Sequence, residues 1–175
     1  MERLRIAKIP ILVLLATALA AAGCAGPGPA DVPADGPKLS APAPANLASP
    51  KSAVISYLDW TSFAYSIANS DVASHTMSPE EEVRVNSYVE LNKEKKRRIS
   101  QVLVSFKPRA PSVDATHATL GAAEVWDYRY TSADGTKAIT ETYTASYETT
   151  YNLILQKPKS WVVKSVDVRA LGQVK

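Results

Sequence analysis

The hydrophobic period of this 175-residue chain changes near residue 99, and this change restricts the fold more than any other feature. Up to that point, apolar residues recur at steps of three and four, as in amphipathic helices. Beyond it, apolar and polar residues alternate, as in half-buried strands. Helices followed by strands with short turns predict an α+β domain, with N-terminal helices packed on a curved four-stranded antiparallel meander. Because the two middle strands are long, we expect the sheet to bend into a cone.

Capping signals mark the starts of two helices. Ser49-Pro50 puts a capping serine before a proline at the first helical position. Ser78-Pro79-Glu80-Glu81 repeats this signal with acids in the first turn. The second helix is expected to end in the basic run 93–98, where cations complement the helix dipole. Its inward-facing residues are predicted to be Val85, Tyr88, Val89 and Leu91.

The alternation predicts four strands. In the first, over residues 99–107, Val102, Val104 and Phe106 alternate with Leu103, Ser105 and Lys107. The other three strands are predicted over 118–130, 139–155 and 161–168, with turns at 132–135 and 157–160.

The N-terminus has the composition of an export signal. A basic start precedes an apolar run at 9–22 that is short for a membrane span. The run ends in Ala21-Ala22-Gly23-Cys24, which resembles the lipobox of bacterial lipoproteins, with Ala21 where leucine is usual. The resemblance implies cleavage before Cys24, the only cysteine, and a diacylglyceryl group on its thiol. The alternatives are a plain secretory signal with a chance cysteine and an uncut anchor helix.

Composition separates a tether from the folded domain. Residues 25–50 hold seven of the 12 prolines and few large apolar residues, so we interpret 24–49 as the lipidated cysteine and its tether. The folded domain is predicted over 50–175. Without residues 1–23, the chain has 17 Lys and Arg against 16 Asp and Glu. Such a balance gives no general field for nucleic acid.

A short pattern near the C-terminus points to a family. Tyr147-x-x-x-Tyr151-x-Leu153 is followed by a turn and then by Trp161-Val162-Val163. This resembles the end of nuclear transport factor 2-like domains, including small extracytoplasmic envelope modules and the intermembrane-space domain of a plastid-division protein. The resemblance implies a curved sheet, a cleft between sheet and helices, and dimerisation through the sheet. The superfamily includes isomerases, dehydratases and modules without activity, so the fold alone does not choose a function.

Two carboxylates are the candidates for catalysis. Glu124 and Glu141 each have apolar or aromatic residues two positions away, so each could lie on the inner face of the sheet and act as a base. The alternative is a structural position near a strand end or bend with water or a lysine nearby, and we adopt it because neither residue has a partner visible in the sequence. The only histidines, His75 and His117, lie apart with no ligand spacing around them, so we expect no metal site and no cofactor.

Aromatic residues alternate along the two middle strands. One interpretation is a cross-strand ladder in the core, which we favour. The other is an aromatic cleft for an apolar or sugar-like ligand. The residues concerned are Trp126, Tyr128, Tyr143, Tyr147 and Tyr151.

These observations predict a non-catalytic binding or interaction module, lipid-anchored on the extracytoplasmic face of the cell membrane. Its expected partners are the membrane, through the N-terminal lipid, and an envelope protein or a small apolar or sugar-like ligand. A second copy could pair through the polar face of the third strand, at Thr142, Thr144 and Ser146. The rival hypothesis is a small pocket enzyme of the isomerase or dehydratase type that uses Glu124 or Glu141.

Overall fold

A computed structural model describes residues 40–156 and 159–174, with side chains to residue 172. The order of elements is helices first, then strands. Two α-helices flank a short 3₁₀ helix, and five strands follow. Their bounds are α1 Pro50–Ile67, the 3₁₀ helix Asp71–Thr76, α2 Pro79–Glu94, β1 Arg97–Pro108, β2 Ser112–Val113, β3 His117–Ser132, β4 Tyr143–Gln156 and β5 Ser160–Val174.

Both predicted helix starts are confirmed. The Ser49 side chain accepts a hydrogen bond from the Ser52 backbone N–H at 3.2 Å, and Pro50 opens α1. Ser78 Oγ accepts from the Glu81 N–H at 3.5 Å in the same role for α2. The first helix stops at Ala68, whose left-handed backbone (φ 56°) ends the helical path.

The strands form one antiparallel sheet in the order β1-β3-β4-β5, curved but not closed. The predicted four-stranded meander is present, with one addition. The two-residue strand β2 pairs with the start of β3, at Ser112 opposite Thr119 and Val113 opposite Ala118. Two residues are too few to show an alternation, so β2 could not be predicted from the hydrophobic pattern. Register shifts in β1 and in the β4–β5 pair bend the sheet.

One register shift interrupts the alternation of β1. Val102 and Val104 are 61% and 56% exposed, whereas Leu103 and Phe106 pack against the core. The register of β1 on β3 changes between Leu103 and Ser105. This irregularity lets one odd and one even position face the helices, which an unbroken period of two cannot predict.

The end of α2 also differs from the prediction. The helix ends at Glu94, and the basic run continues through a turn at Lys96 (φ 51°) into β1. Val85 and Val89 are buried as predicted, but Tyr88 and Leu91 are about half exposed, at 47% and 43%. The third strand begins at Tyr143 rather than at Ile139, because 133–142 form a longer connection.

The core lies between α1, the 3₁₀ helix and the inner face of the sheet. It includes Trp161, which is 8% exposed. The segment before α1 joins this core. Leu47 packs against it, and the Leu47 carbonyl accepts the Trp161 N–H at 2.9 Å. The end of the predicted tether is thus docked on the domain. No described helix combines the length and hydropathy that crossing a bilayer requires.

Candidate functional site

A cleft of about 330 Å³ lies between the helices and the inner face of the sheet. All eight tyrosines of the chain line it. They come from every layer: two from α1, one from α2, three from the end of β3 and start of β4, and two from further along β4. They are Tyr57, Tyr65, Tyr88, Tyr128, Tyr130, Tyr143, Tyr147 and Tyr151.

The sheet wall of the cleft is built by one stretch of the β3–β4 ladder. Tyr128 lies opposite Tyr143, and their rings stack with centroids 5.4 Å apart. Trp126 also stacks on Tyr128, with ring centroids 6.1 Å apart, and Tyr147 meets Tyr128 edge to face at 6.3 Å. The five aromatic residues predicted from the alternation therefore share one face, as expected. They line a cleft with open volume, so the ladder does not fill the space beneath the helices.

Glu124 lies on the floor of the cleft and is 5% exposed. Trp126 Nε1 donates to its Oε2 at 2.8 Å, and the Tyr151 hydroxyl donates to its Oε1. Glu124 lies within β3, opposite Phe106 and beside the register shift of β1, and not near a strand end. Its donors come from two residues away on β3 and from the neighbouring strand β4. Burial, reinforced by the Glu124 charge, raises the pKa of Tyr151, so its hydroxyl stays protonated and remains a donor.

Thr149 adds a second polar group to the cleft lining. It is 3% exposed, and its Oγ1 has no hydrogen-bond partner in the described part of the chain. Glu124 pairs with Tyr147, two residues before Thr149 on the same face of β4. The carboxylate and the unpaired hydroxyl are thus diagonal neighbours on the cleft floor.

The helical wall is held by an ion pair between a buried carboxylate, Glu81, and the partly exposed Arg84. Glu81, 2% exposed, accepts bidentate hydrogen bonds from Arg84, and the Tyr57 hydroxyl donates to the same carboxylate. Arg84 Nη2 also donates to the Tyr57 oxygen at 2.9 Å. Partial burial opposes the charge of Arg84, but the Glu81 hydrogen bonds outweigh it and raise the arginine pKa. Burial raises the pKa of Tyr57 as well, and that of Tyr65 to about 12.

Other predicted residues lie elsewhere. Glu141 is exposed in the connection before β4 and does not line the cleft. His75 and His117 are exposed; His75 packs on the Trp60 ring at 4.7 Å, and His117 lies 3.7 Å from Asp114. In residues 40–156 and 159–174, no three His, Cys, Asp or Glu residues are close enough to hold a metal. Cys24 lies outside the described residues.

Sequence reasoning missed the helical half of the site. The sequence predicts neither a cleft at Tyr57 and Tyr65 nor a role for Arg84. The available signal was their spacing: Tyr57 and Tyr65 are eight residues apart, so they lie on one helix face. Arg84 follows Glu81 by three residues, a spacing at which side chains meet on a helix.

Comparisons with known proteins reveal similarity at the level of structure. No family model and no curated protein sequence matches the chain. The intermembrane-space region of the chloroplast protein ARC6 superposes with a TM-score of 0.60 at 13% identity, covering 71% of this chain and 97% of that one. A ketosteroid isomerase-like protein from Erwinia carotovora atroseptica covers 72% of this chain and 96% of its own, with a TM-score of 0.45 at 14% identity.

At these identities the likeness concerns the fold. The order of elements, the curved antiparallel sheet and the cleft beneath the helices agree with the architecture expected from the sequence. The chain has an α+β fold, with N-terminal helices on a curved antiparallel sheet, and shares this fold with the intermembrane-space region of ARC6.

Proposed function

We propose that this protein is a lipid-anchored, extracytoplasmic module that binds a small, largely apolar or sugar-like ligand in its aromatic cleft, without catalysis. The observation that carries the proposal is the gathering of all eight tyrosines around one open volume of about 330 Å³. Small-molecule sites are typically concave, of this size or larger, and lined by aromatic groups with a few placed polar ones. Tyrosines used only for packing would have filled this volume.

The anchoring part of the proposal rests on the N-terminal sequence. Ala21-Ala22-Gly23-Cys24 after a short apolar run supports lipidation of Cys24. The proline-rich segment that follows would hold the domain away from the membrane surface. Mass spectrometry of the mature N-terminus tests it: we expect a diacylglyceryl-modified Cys24, and Cys24→Ser should release the protein from membranes. An unmodified N-terminus at another residue would contradict the proposal.

The binding part is tested with the mature chain equilibrated with an extract of envelope metabolites. Native mass spectrometry should reveal a small-molecule adduct on the protein without substitutions. Tyr143→Ala should remove most of it, because Tyr143 forms a cleft wall by stacking on Tyr128. Ser146→Ala is the matched control, since Ser146 is on the same strand but faces away from the cleft. An adduct that Tyr143→Ala leaves unchanged would show that the cleft is not the site.

A second function is favoured by one observation. Glu124 is a buried carboxylate on the cleft floor, which is the position that a proton-transfer enzyme of the isomerase type needs. Glu141 is exposed outside the cleft, so this alternative now involves Glu124 alone. The two functions differ in what happens to the ligand. In D₂O, an isomerase would exchange deuterium into the bound compound, and Glu124→Gln would stop the exchange, whereas a binding module leaves the compound unlabelled.

A further inference from the structure

The negative charge of Glu124 has no positive partner within the described residues. Its two hydrogen-bond donors, the Trp126 indole N–H and the Tyr151 hydroxyl, are both neutral. No ion pair in the described part of the chain involves Glu124. A carboxylate that is 5% exposed pays a large desolvation cost unless a cation or several hydrogen bonds compensate it. Each oxygen keeps further acceptor capacity beyond its single donor.

The other charged group of the cleft does not supply this compensation. Arg84 is the one cationic residue among those lining the described cleft, and its hydrogen bonds go to Glu81 and Tyr57. That pair is neutral as a unit. Because Glu81 neutralises Arg84, the charge at the cleft that is left without a counter-charge is the negative charge of Glu124.

The surroundings of Glu124 are suited to a donor-rich cationic group. Thr149 Oγ1, the diagonal neighbour of Glu124, is buried and without a partner, so it has a lone pair free to accept. The nearby rings of Trp126, Tyr128 and Tyr147 present π systems, which attract cations and accommodate an apolar body. A neutral apolar ligand would leave both the charge and the hydroxyl unpaired, and an anionic ligand would be repelled.

We propose that the cleft takes a ligand with a protonated amine, which pairs with the Glu124 carboxylate and donates to Thr149 Oγ1, while its apolar part lies among the tyrosine rings. The inference rests on the ligand-binding function proposed above and specifies the chemical class of the ligand. An ammonium group provides three donors and one positive charge. It would meet the carboxylate, the hydroxyl and the ring faces at once.

The experiment compares two probes of nearly equal shape, 2-phenylethylamine and 2-phenylethanol, by isothermal titration calorimetry on the mature chain at neutral pH. The amine is cationic there and the alcohol is neutral. We expect the amine to bind at least about tenfold more tightly, the factor that corresponds to a modest charge-assisted hydrogen bond. Glu124→Gln should bring the two affinities within about twofold, and Thr149→Val should reduce the preference for the amine several-fold. Glu141→Gln, an exposed glutamate outside the cleft, should leave the preference unchanged.

The possible outcomes distinguish a failure of the amine assignment from a failure of the proposed ligand-binding function. Equal binding of both probes to the protein without substitutions would overturn the amine assignment but would not contradict small-ligand binding. A preference that survives in a folded Glu124→Gln variant would overturn the role of Glu124. If neither probe binds and envelope metabolites give no adduct, the proposed binding function itself fails. Should Glu124→Gln not fold, the comparison of probes on the unmodified protein and on Thr149→Val still decides.

Discussion

The two ends of the β3–β4 ladder share the same strands and the same alternation, yet one end packs a filled core and the other lines an open cleft. At the closed end, Leu120 and Leu153 are at most 1% exposed and belong to a filled core with Ala53 and Val54 of α1. At the open end, formed by 124–130 and 143–149, the inner positions carry aromatic and polar groups that line the cleft. The pleat is the same at both ends, so the chemical class of the inward side chains makes the difference.

This contrast locates stability and binding in different parts of one sheet. At the closed end, aliphatic side chains interdigitate and leave no cavity, and this close packing stabilises the fold. Stacked rings and the Arg84–Glu81 ion pair line the open end without filling it. The closed end therefore stabilises the sheet, and the residues of the open end can differ without loss of the fold. Such a division lets one fold serve unrelated functions.

The largest effect that tests this contrast is expected on β5, which runs past both ends. Trp161 belongs to the closed end, opposite Leu155, and is 8% exposed. Trp161→Ala should lower the free energy of unfolding by roughly 3–5 kcal/mol, since it removes a large buried side chain. Val168 lies opposite Thr149 at the open end and is 55% exposed. Val168→Ala should stay within about 0.5 kcal/mol. Equal losses in urea unfolding would show that stability is not divided in this way.

The next effect concerns the ion pair of the helical wall. Arg84→Met leaves the Glu81 carboxylate, 2% exposed, without its cation, and should cost about 3 kcal/mol. Removing both charges with Glu81→Gln and Arg84→Met should restore part of this loss. Lys93→Met is the control, because the Lys93–Glu90 pair has the same spacing but is about half exposed, and it should cost less than about 0.5 kcal/mol. A loss no larger in Arg84→Met than in Lys93→Met would refute the structural role of the pair.

The closed end could be predicted from the sequence more completely than the open end. Capping serines and an unbroken alternation in β3 and β4 define the elements that pack the core, and the structure confirms them. The sequence does not predict the register shift at Leu103–Ser105, because a bulge leaves no pattern in one sequence. It also failed to distinguish a filled ladder from a cleft. Alternation reports which face a tyrosine is on, but not how far the opposite helix lies from it.

The partners of Glu124 show the same limit. Trp126 is two residues away, so its proximity on one face of β3 was implied by the alternation. Tyr151 reaches Glu124 from the neighbouring strand, 27 residues along the chain. That contact depends on the register of β3 on β4, which the turn sequence does not fix when the connection is ten residues long. The site therefore depends on the pairing register of β3 and β4, which could not be predicted from the sequence.

The tyrosines of the open end predict a loss of stability at high pH. Burial raises the pKa of Tyr65 to about 12, whereas an unfolded tyrosine ionises near about 10. Between these values the unfolded state loses the proton and the folded state keeps it, so stability is complete below about pH 10 and falls above it. Between these two pKa values, each such tyrosine lowers the free energy of unfolding by about 1.4 kcal/mol per pH unit. Urea unfolding at about pH 8 and about pH 11 measures the change.

Tyr65→Phe provides the control for this pH dependence. The variant removes one ionisable group and keeps the ring, so the slope above about pH 10 should become shallower by the contribution of one group. Tyr57 and Tyr128, whose pKa values burial also raises, should maintain the rest of the slope. A midpoint independent of pH in this range would mean that the hydroxyls at the open end are solvated and that the cleft is looser than its geometry indicates.

The smallest effect is expected where the chain enters the domain, at the closed end. Leu47 packs on the core, and its carbonyl accepts the Trp161 N–H, so its side chain stabilises the closed end from outside the helices. Leu47→Ala should cost about 1 kcal/mol, since the side chain is only partly buried. Leu171, 53% exposed on β5, is the matched control and should change stability by less than about 0.5 kcal/mol as Leu171→Ala. Neither variant should alter ligand binding, because neither residue lines the cleft. If Leu47→Ala weakened binding as much as Tyr143→Ala, the two ends of the sheet would be coupled, and stability and binding would not be separate properties of this fold.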